Sequence, residues 1–158
     1  VDPNDATRIV QTGAQRTNGF ELGISGRVNS RWTVMGGYAS QDAFVTSATA
    51  AARAGAQVAQ VPHHTFSLWN SYQVHPRASV AAGITYRSDM FAGIDNSVTL
   101  PGYTRADAAA YLSLRRGWRL QANVENLFDR RYFVNADGNT NISPGYPRTL
   151  RVALGTSF

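Results

Sequence analysis

The stretch from Trp118 to Phe128 reads WRLQANVENLF. Trp118, Leu120, Ala122 and Val124 alternate with Arg119, Gln121, Asn123 and Glu125. A helix would scatter those four polar residues around its axis. A strand collects them on one face and the apolar four on the other. The last stretch, Arg148 to Phe158, repeats the pattern: Leu150, Val152, Leu154, Thr156 and Phe158 share one face, and Thr149, Arg151, Ala153, Gly155 and Ser157 the other. Two architectures accept such strands. A soluble sandwich turns the apolar face inward, whereas an outer-membrane barrel turns it out to lipid and lines its lumen with the polar face.

The same alternation predicts five further strands. They are Thr7 to Asn29, Trp32 to Phe44, His64 to Tyr72, Ala78 to Arg87 and Tyr103 to Leu114. Trp69 falls on the polar side of its strand, a local exception, and Gly36 and Gly37 mark a place where the sheet can bend. The connections at Asn29–Arg31, Gln73–Arg77 and Arg115–Gly117 are short. Those at Val45–Val61, Ser88–Pro101 and Asp129–Pro147 are long. Val45–Val61 is Ala-rich without alternation and reads as an exposed flexible loop, with room for a short helix.

Short and long connections therefore alternate strictly, as periplasmic turns and extracellular loops do in outer-membrane barrels. Strands of about ten residues suit a tilted bilayer crossing and exceed the globular mean. Trp32 and Trp118 follow short turns, and Tyr86 and Tyr103 flank a long loop, which places aromatics near both interfaces. The last strand descends from a long loop, so the C-terminus is expected on the periplasmic side and Val1 in an outer loop. Seven strands is an odd number, and single-chain bacterial barrels have an even one. With Val1 in place of an initiator Met, the expectation is a piece of a longer protein.

Composition trims the alternatives. Cysteine is absent, so neither disulfides nor thiolate metal sites can form. The net charge is +5, and all fifteen basic residues are Arg. They are dispersed rather than gathered into a phosphate-tracking stripe, which argues against nucleic acid as a partner. His63 and His64 are adjacent, so along a strand they point to opposite faces and cannot easily share one metal ion; His75 is isolated. Nothing positions a base, a nucleophile and a substrate pocket together, so no catalytic residue is assigned.

Five stretches carry a family resemblance: TGAQRTNGFEL (12–22), VPHHTFSLW (61–69), LPGYTRADA (100–108), NVENLFDRRYF (123–133) and SPGYPRTLRVALGTSF to the end. In this order and spacing the chain resembles the C-terminal third of a TonB-dependent outer-membrane siderophore receptor, and NTNISPGYPR resembles the catecholate kind. The resemblance implies an all-β fold, an antiparallel transmembrane β-barrel segment of about seven long strands from a 22-stranded barrel. It implies that residues 1–158 are the C-terminal part, with the earlier strands and the plug domain upstream. A ferric siderophore would be the transported ligand, with no covalently bound cofactor. The other implied partners are the plug of the same protein, TonB–ExbB–ExbD acting through it, the barrel-assembly machinery and outer-membrane lipid.

On this reading the long loops recognise the ligand, because loops on a rigid scaffold carry binding. Phe91, Arg130, Arg131, Tyr132 and Tyr146 are the candidates: Arg suits an anionic iron chelate and aromatic rings suit catechols. The alternative for each is simple anchoring of the loop at the membrane interface. Leu150, Val152, Leu154 and Phe158 resemble the signal read by the assembly machinery, and the same residues also meet lipid. Two rival readings stay open, a passive outer-membrane channel and a soluble β-sandwich binding module. On the transporter reading the isolated piece is expected not to fold alone, because lipid does not tolerate open sheet edges.

Overall fold

The computed structural model describes residues 13–156. Eleven strands run in chain order: β1 (Ala14–Arg27), β2 (Trp32–Ser47), β3 (His64–His75), β4 (Ala78–Arg87), β5 (Met90–Phe91), β6 (Thr99–Leu100), β7 (Tyr103–Ser113), β8 (Trp118–Glu125), β9 (Phe133–Asp137), β10 (Asn141–Pro144) and β11 (Thr149–Thr156). Seven of them form one antiparallel sheet in the order β1-β2-β3-β4-β7-β8-β11. These are the seven strands the alternation predicts, each beside its neighbour in sequence. The first residues of the expected opening strand, 7–12, and Phe158 lie outside the described residues. β2 runs three residues past Phe44, and β3 three past Tyr72.

The register keeps one parity across the whole sheet. Ile24 faces Gly36, Gly36 faces Leu68, Leu68 faces Ile84 and Ile84 faces Ala106. Further down, Val80, Ala110, Ala122 and Val152 make a second row. All are even-numbered, and so are Phe20, Leu22, Leu120, Leu150 and Leu154. The odd face carries Glu21, Arg27, Thr65, Ser67, Arg87, Arg105, Asp107, Asn123 and Arg151. Because side-chain direction has period two, a one-residue slip anywhere would mix the faces; none occurs between the long strands' central rows.

No second sheet packs on the even face among the described residues. Leu22 is 69% exposed, Ile24 62% and Val152 63%. A sandwich buries this face, and water would charge roughly 25 cal/mol for each Å² of it left bare. A bilayer's hydrocarbon covers it without a second protein layer, and that is the arrangement of barrel strands. The one polar side chain in the middle of this face is Asn70, whose Oδ1 accepts from Trp32 Nε1 at 3.1 Å, so each satisfies the other. Trp69, the exception on the polar face, lies across Gly83 of β4; a Cβ there would run into its ring.

The short turns are tight for local reasons. At Asn29 the side-chain Oδ1 accepts from the N–H groups of Arg31 and Trp32, both at 2.9 Å, an Asx turn. Arg115–Gly117 forms a 3₁₀ turn that ends on Gly117 in the left-handed region (φ 77°).

The long connections depart from expectation. Val45–Val61 is neither helical nor a loose exposed loop. Val45–Ser47 belong to β2, and the return segment bonds back to it: Val45 N to Ala56 O at 2.8 Å and Val58 N to Ala43 O at 3.0 Å. The alanines make this possible, since Ala52 and Ala56 are small enough to pack against Val45, with Ile94 of the next connection beside them. The second connection contains the pair β5–β6, and the third the hairpin β9–β10, turned at Gly138 (φ 76°). Met90, Ala92, Leu100 and Ala136 form a second buried cluster that joins these two connections. The three long connections thus make one packed cap at one end of the sheet.

Candidate functional site

The cap is fastened to the odd face of the sheet by side chains of β4 and β7. Arg87, at the end of β4, donates from Nη1 to the Val134 carbonyl at 2.7 Å and from Nη2 to the Phe133 carbonyl at 2.9 Å. Arg105 of β7 donates from Nη1 to Tyr132 Oη at 3.0 Å. Its Nε and Nη2 both donate to Asp107 Oδ2, at 3.1 and 2.9 Å. Asp107 Oδ1 accepts from the N–H of Asn126 at 2.8 Å. The two guanidiniums and two phenol rings form a column. Arg87 stands 4.9 Å from the Tyr103 centroid, the Tyr103 and Tyr132 centroids are 4.5 Å apart, and Arg105 stands 5.9 Å from the Tyr132 centroid.

Asn126 closes the base of the third connection. It is 1% exposed and left-handed (φ 54°), a conformation Asn tolerates better than most residues. Its Nδ2 donates to the carbonyls of Arg130 (2.9 Å) and Tyr146 (3.0 Å), and its Oδ1 accepts from Arg130 N at 2.9 Å. Asp129, also left-handed, accepts from Arg148 N at 2.8 Å. Both roots of the connection are therefore held to one buried amide.

Above this base the connections are tied to one another. Asn96 exchanges bonds with Gln57: Oδ1 accepts from Gln57 N at 2.8 Å and Nδ2 donates to Gln57 O at 2.9 Å. Gln60 Oε1 accepts from Ala136 N at 3.2 Å. Asn139 Nδ2 donates to both oxygens of Asp95, at 3.0 and 2.9 Å. Those bonds, and then the one from Ser97, hold the Asp95 carboxyl below the usual carboxylate range.

The five loop candidates separate. Tyr132 is 6% exposed, wedged between Arg105, Tyr103 and Gly145, where an added Cβ would meet its ring. Phe91 is half-buried in β5, and its carbonyl accepts from Gln60 N at 2.8 Å. Arg130, Arg131 and Tyr146 are exposed; the main-chain carbonyls of Arg130 and Tyr146 are brought together at the root of the third connection by Asn126, and Arg131 follows Arg130 in the chain. The ring nitrogens of His63 are taken by Asp42 (2.7 Å) and Gln57 (2.9 Å), and His64 Nδ1 pairs with Tyr38 Oη at 3.0 Å. Leu150, Val152 and Leu154 lie on the even face of β11, an edge strand.

Sequence reasoning missed Arg87, Asp107 and Asn126 as a fastening set. One available signal was Arg105 and Asp107 at i, i+2 on a strand, which places opposite charges side by side on one face. Asn126 had no such signal, because its partners are main-chain groups brought near only by folding.

Known proteins agree with this geometry. Residues 1–127 match the family model described as TonB dependent receptor-like, beta-barrel. The chain is 34% identical over 165 residues to the Catecholate siderophore receptor Fiu of Escherichia coli (strain K12), which covers 100% of this chain and 22% of that protein. It is 32% identical over 164 residues to the Probable TonB-dependent siderophore receptor PiuA of Acinetobacter baumannii, over 98% of this chain and 22% of that one. Among solved structures, the siderophore receptor PiuA from Acinetobacter baumannii superposes with a TM-score of 0.83 at 30% identity, covering 90% of this chain and 22% of the receptor. The closed form of the Ferric-Catecholate import receptor Fiu superposes at 0.79 with 32% identity, covering 96% and 22%. The chain thus spans 22% of the length of these relatives.

Proposed function

Because the chain belongs to the TonB-dependent receptor β-barrel family, we propose that it forms the C-terminal wall of an outer-membrane receptor that imports a ferric siderophore. The observation that carries this reading is the division of one sheet. Its even face is a bare apolar band fit for lipid, its odd face is polar, and a single end bears a packed cap of long connections. The cap end is extracellular and the C-terminus periplasmic. The siderophore meets the cap and the upper lumen, with Phe91, Arg130, Arg131, Tyr132 and Tyr146 as the residues of this chain that shape its site. The exposed trio Arg130, Arg131 and Tyr146 touches it directly, and Tyr132 holds the wall behind them.

The rest of the barrel and the plug lie in the protein upstream of this segment. Uptake is energised by TonB–ExbB–ExbD through that plug. Leu150, Val152, Leu154 and Phe158 address the strand to the barrel-assembly machinery. The resemblance of the five motifs and the 22% share of the relatives support this division of labour. No step of it calls for catalysis.

The test uses the full-length receptor in its own outer membrane. Deleting the gene should abolish uptake of radiolabelled ferric catecholate siderophore, and restoring it should recover uptake only when TonB is present. Uptake that persists without TonB would mean a passive channel. Unchanged uptake in the deletion strain would remove the siderophore reading.

A further inference from the structure

Arg87 is a buried cation without an anion. It is 9% exposed, yet the ion pairs among the described residues are His63–Asp42, Arg105–Asp107 and Arg151–Glu125. Two of its five N–H donors reach neutral carbonyls, and its Nε has no acceptor. Desolvation disfavours a charge held this way, and an anion beside it would offset that cost. Glu21 lies in the same row of the odd face, but Ala39 and Thr65 intervene, which puts it about 14 Å away at ~4.8 Å per strand.

In front of Arg87 the odd face forms a hollow of about 480 Å³, lined by Thr65, Ser67, Thr85 and Tyr103, with Glu21 at its far side. Thr65 is the direct cross-strand partner of Arg87, and Ser67 that of Thr85. Among the described residues none of these four hydroxyls has a hydrogen-bond partner. The hydroxyls of Thr65, Ser67 and Thr85 beside a guanidinium that has the Tyr103 ring and two carbonyls but no anion, on a wall floored by Gly37 and Ala39, match a planar oxyanion.

We propose that this hollow is an oxyanion subsite of the lumenal wall that takes one carboxylate group. Arg87 supplies the charge, and Thr65, Ser67 and Thr85 supply the flanking donors. The carboxylate comes either from a soluble molecule in the lumen or from an acidic side chain of the receptor outside this segment. The subsite stands on the geometry of β3 and β4 and does not depend on the siderophore reading.

The experiment is citrate titration of the detergent-solubilised full-length receptor by calorimetry, with hydrogen exchange on the same samples. Arg87→Lys, Arg87→Gln and the double variant Thr65→Val/Thr85→Val are compared with the parent. The double variant leaves the bonds from Arg87 to Phe133 and Val134 in place, so it reports even if Arg87→Gln fails to assemble. For a soluble source, citrate binds the parent, Arg87→Gln weakens it by roughly tenfold or more, Arg87→Lys stays within a few-fold, and the double variant weakens it several-fold. For an internal source, the parent does not bind citrate. Both Arg87→Gln and the double variant then raise exchange in a peptide outside residues 1–158. Citrate binding indifferent to all three variants overturns the subsite. So does absence of citrate binding together with unchanged exchange outside this segment.

Discussion

At the scale of single residues the cap hangs on Asn126. Three side-chain bonds and a left-handed backbone make it a joint that few residues can replace. Asn126→Ala loses the buried bonds and strains the backbone, and should lower the opening free energy of residues 129–147 by about 2–5 kcal/mol. Asn126→Gly also loses the bonds but accepts the positive φ, and should be milder by about 1 kcal/mol. Hydrogen exchange of the third connection in the full-length receptor reads both, and equal effects would leave the backbone conformation without a role. Asp95 gives a pH dependence. Its carboxyl is held low by Asn139 first and Ser97 second, so the contact is intact above the ordinary carboxylate pKa. It is lost as pH falls below about 4 and through the lowered value. Exchange around Asn139 should rise on that acidification, and Asp95→Asn should flatten the response. None of these partners was legible in the sequence: Arg87 and Val134 are 47 positions apart, and a guanidinium bound to a carbonyl leaves no compositional trace.

Elements were far more legible. Period two marked all seven long strands, because each carries an apolar even face and a polar odd face and the whole sheet keeps a single parity. What failed was the interior of the connections. β5 and β6 have two residues each, too few for any period to show. The Ala-rich segment after Phe44 lacks alternation because it packs by small size against Val45 and Ile94 rather than by facing a sheet. The parity makes a sharp prediction. Ile84→Arg places a charge on the apolar face, where Arg near the bilayer midplane costs roughly 2–4 kcal/mol. Ser25→Arg, one row away on the polar face, should be near neutral. Denaturant unfolding of the full-length receptor in lipid vesicles compares them, and equal losses would mean that the even face does not meet lipid.

For the whole molecule, β1 and β11 end the sheet and do not pair with each other among the described residues. Unpaired edges are incompatible with a hydrocarbon surround. The isolated 158-residue chain should therefore fail to give a monodisperse, exchange-protected sheet in detergent, while the same strands are protected in the full-length receptor. The seven-stranded extent, the gathering of the three long connections at one end and the apolar band all followed from sequence alternation and connection length, whereas the packing of those connections into a cap did not. The fastening between cap and wall did not, since it depends on which odd-face side chains the register sets beneath the connections.

The central claim is that even residues face lipid and odd residues face the lumen. The chain has no cysteine, so single cysteines can be placed at Leu22, Ile84 and Val152 and at Ser25, Ser71 and Gln121. Each would carry a bimane label in a full-length receptor otherwise free of cysteine and reconstituted with brominated lipid. Quenching at the three even positions and none at the three odd ones is the predicted result. Quenching at odd positions, or at neither set, would contradict it.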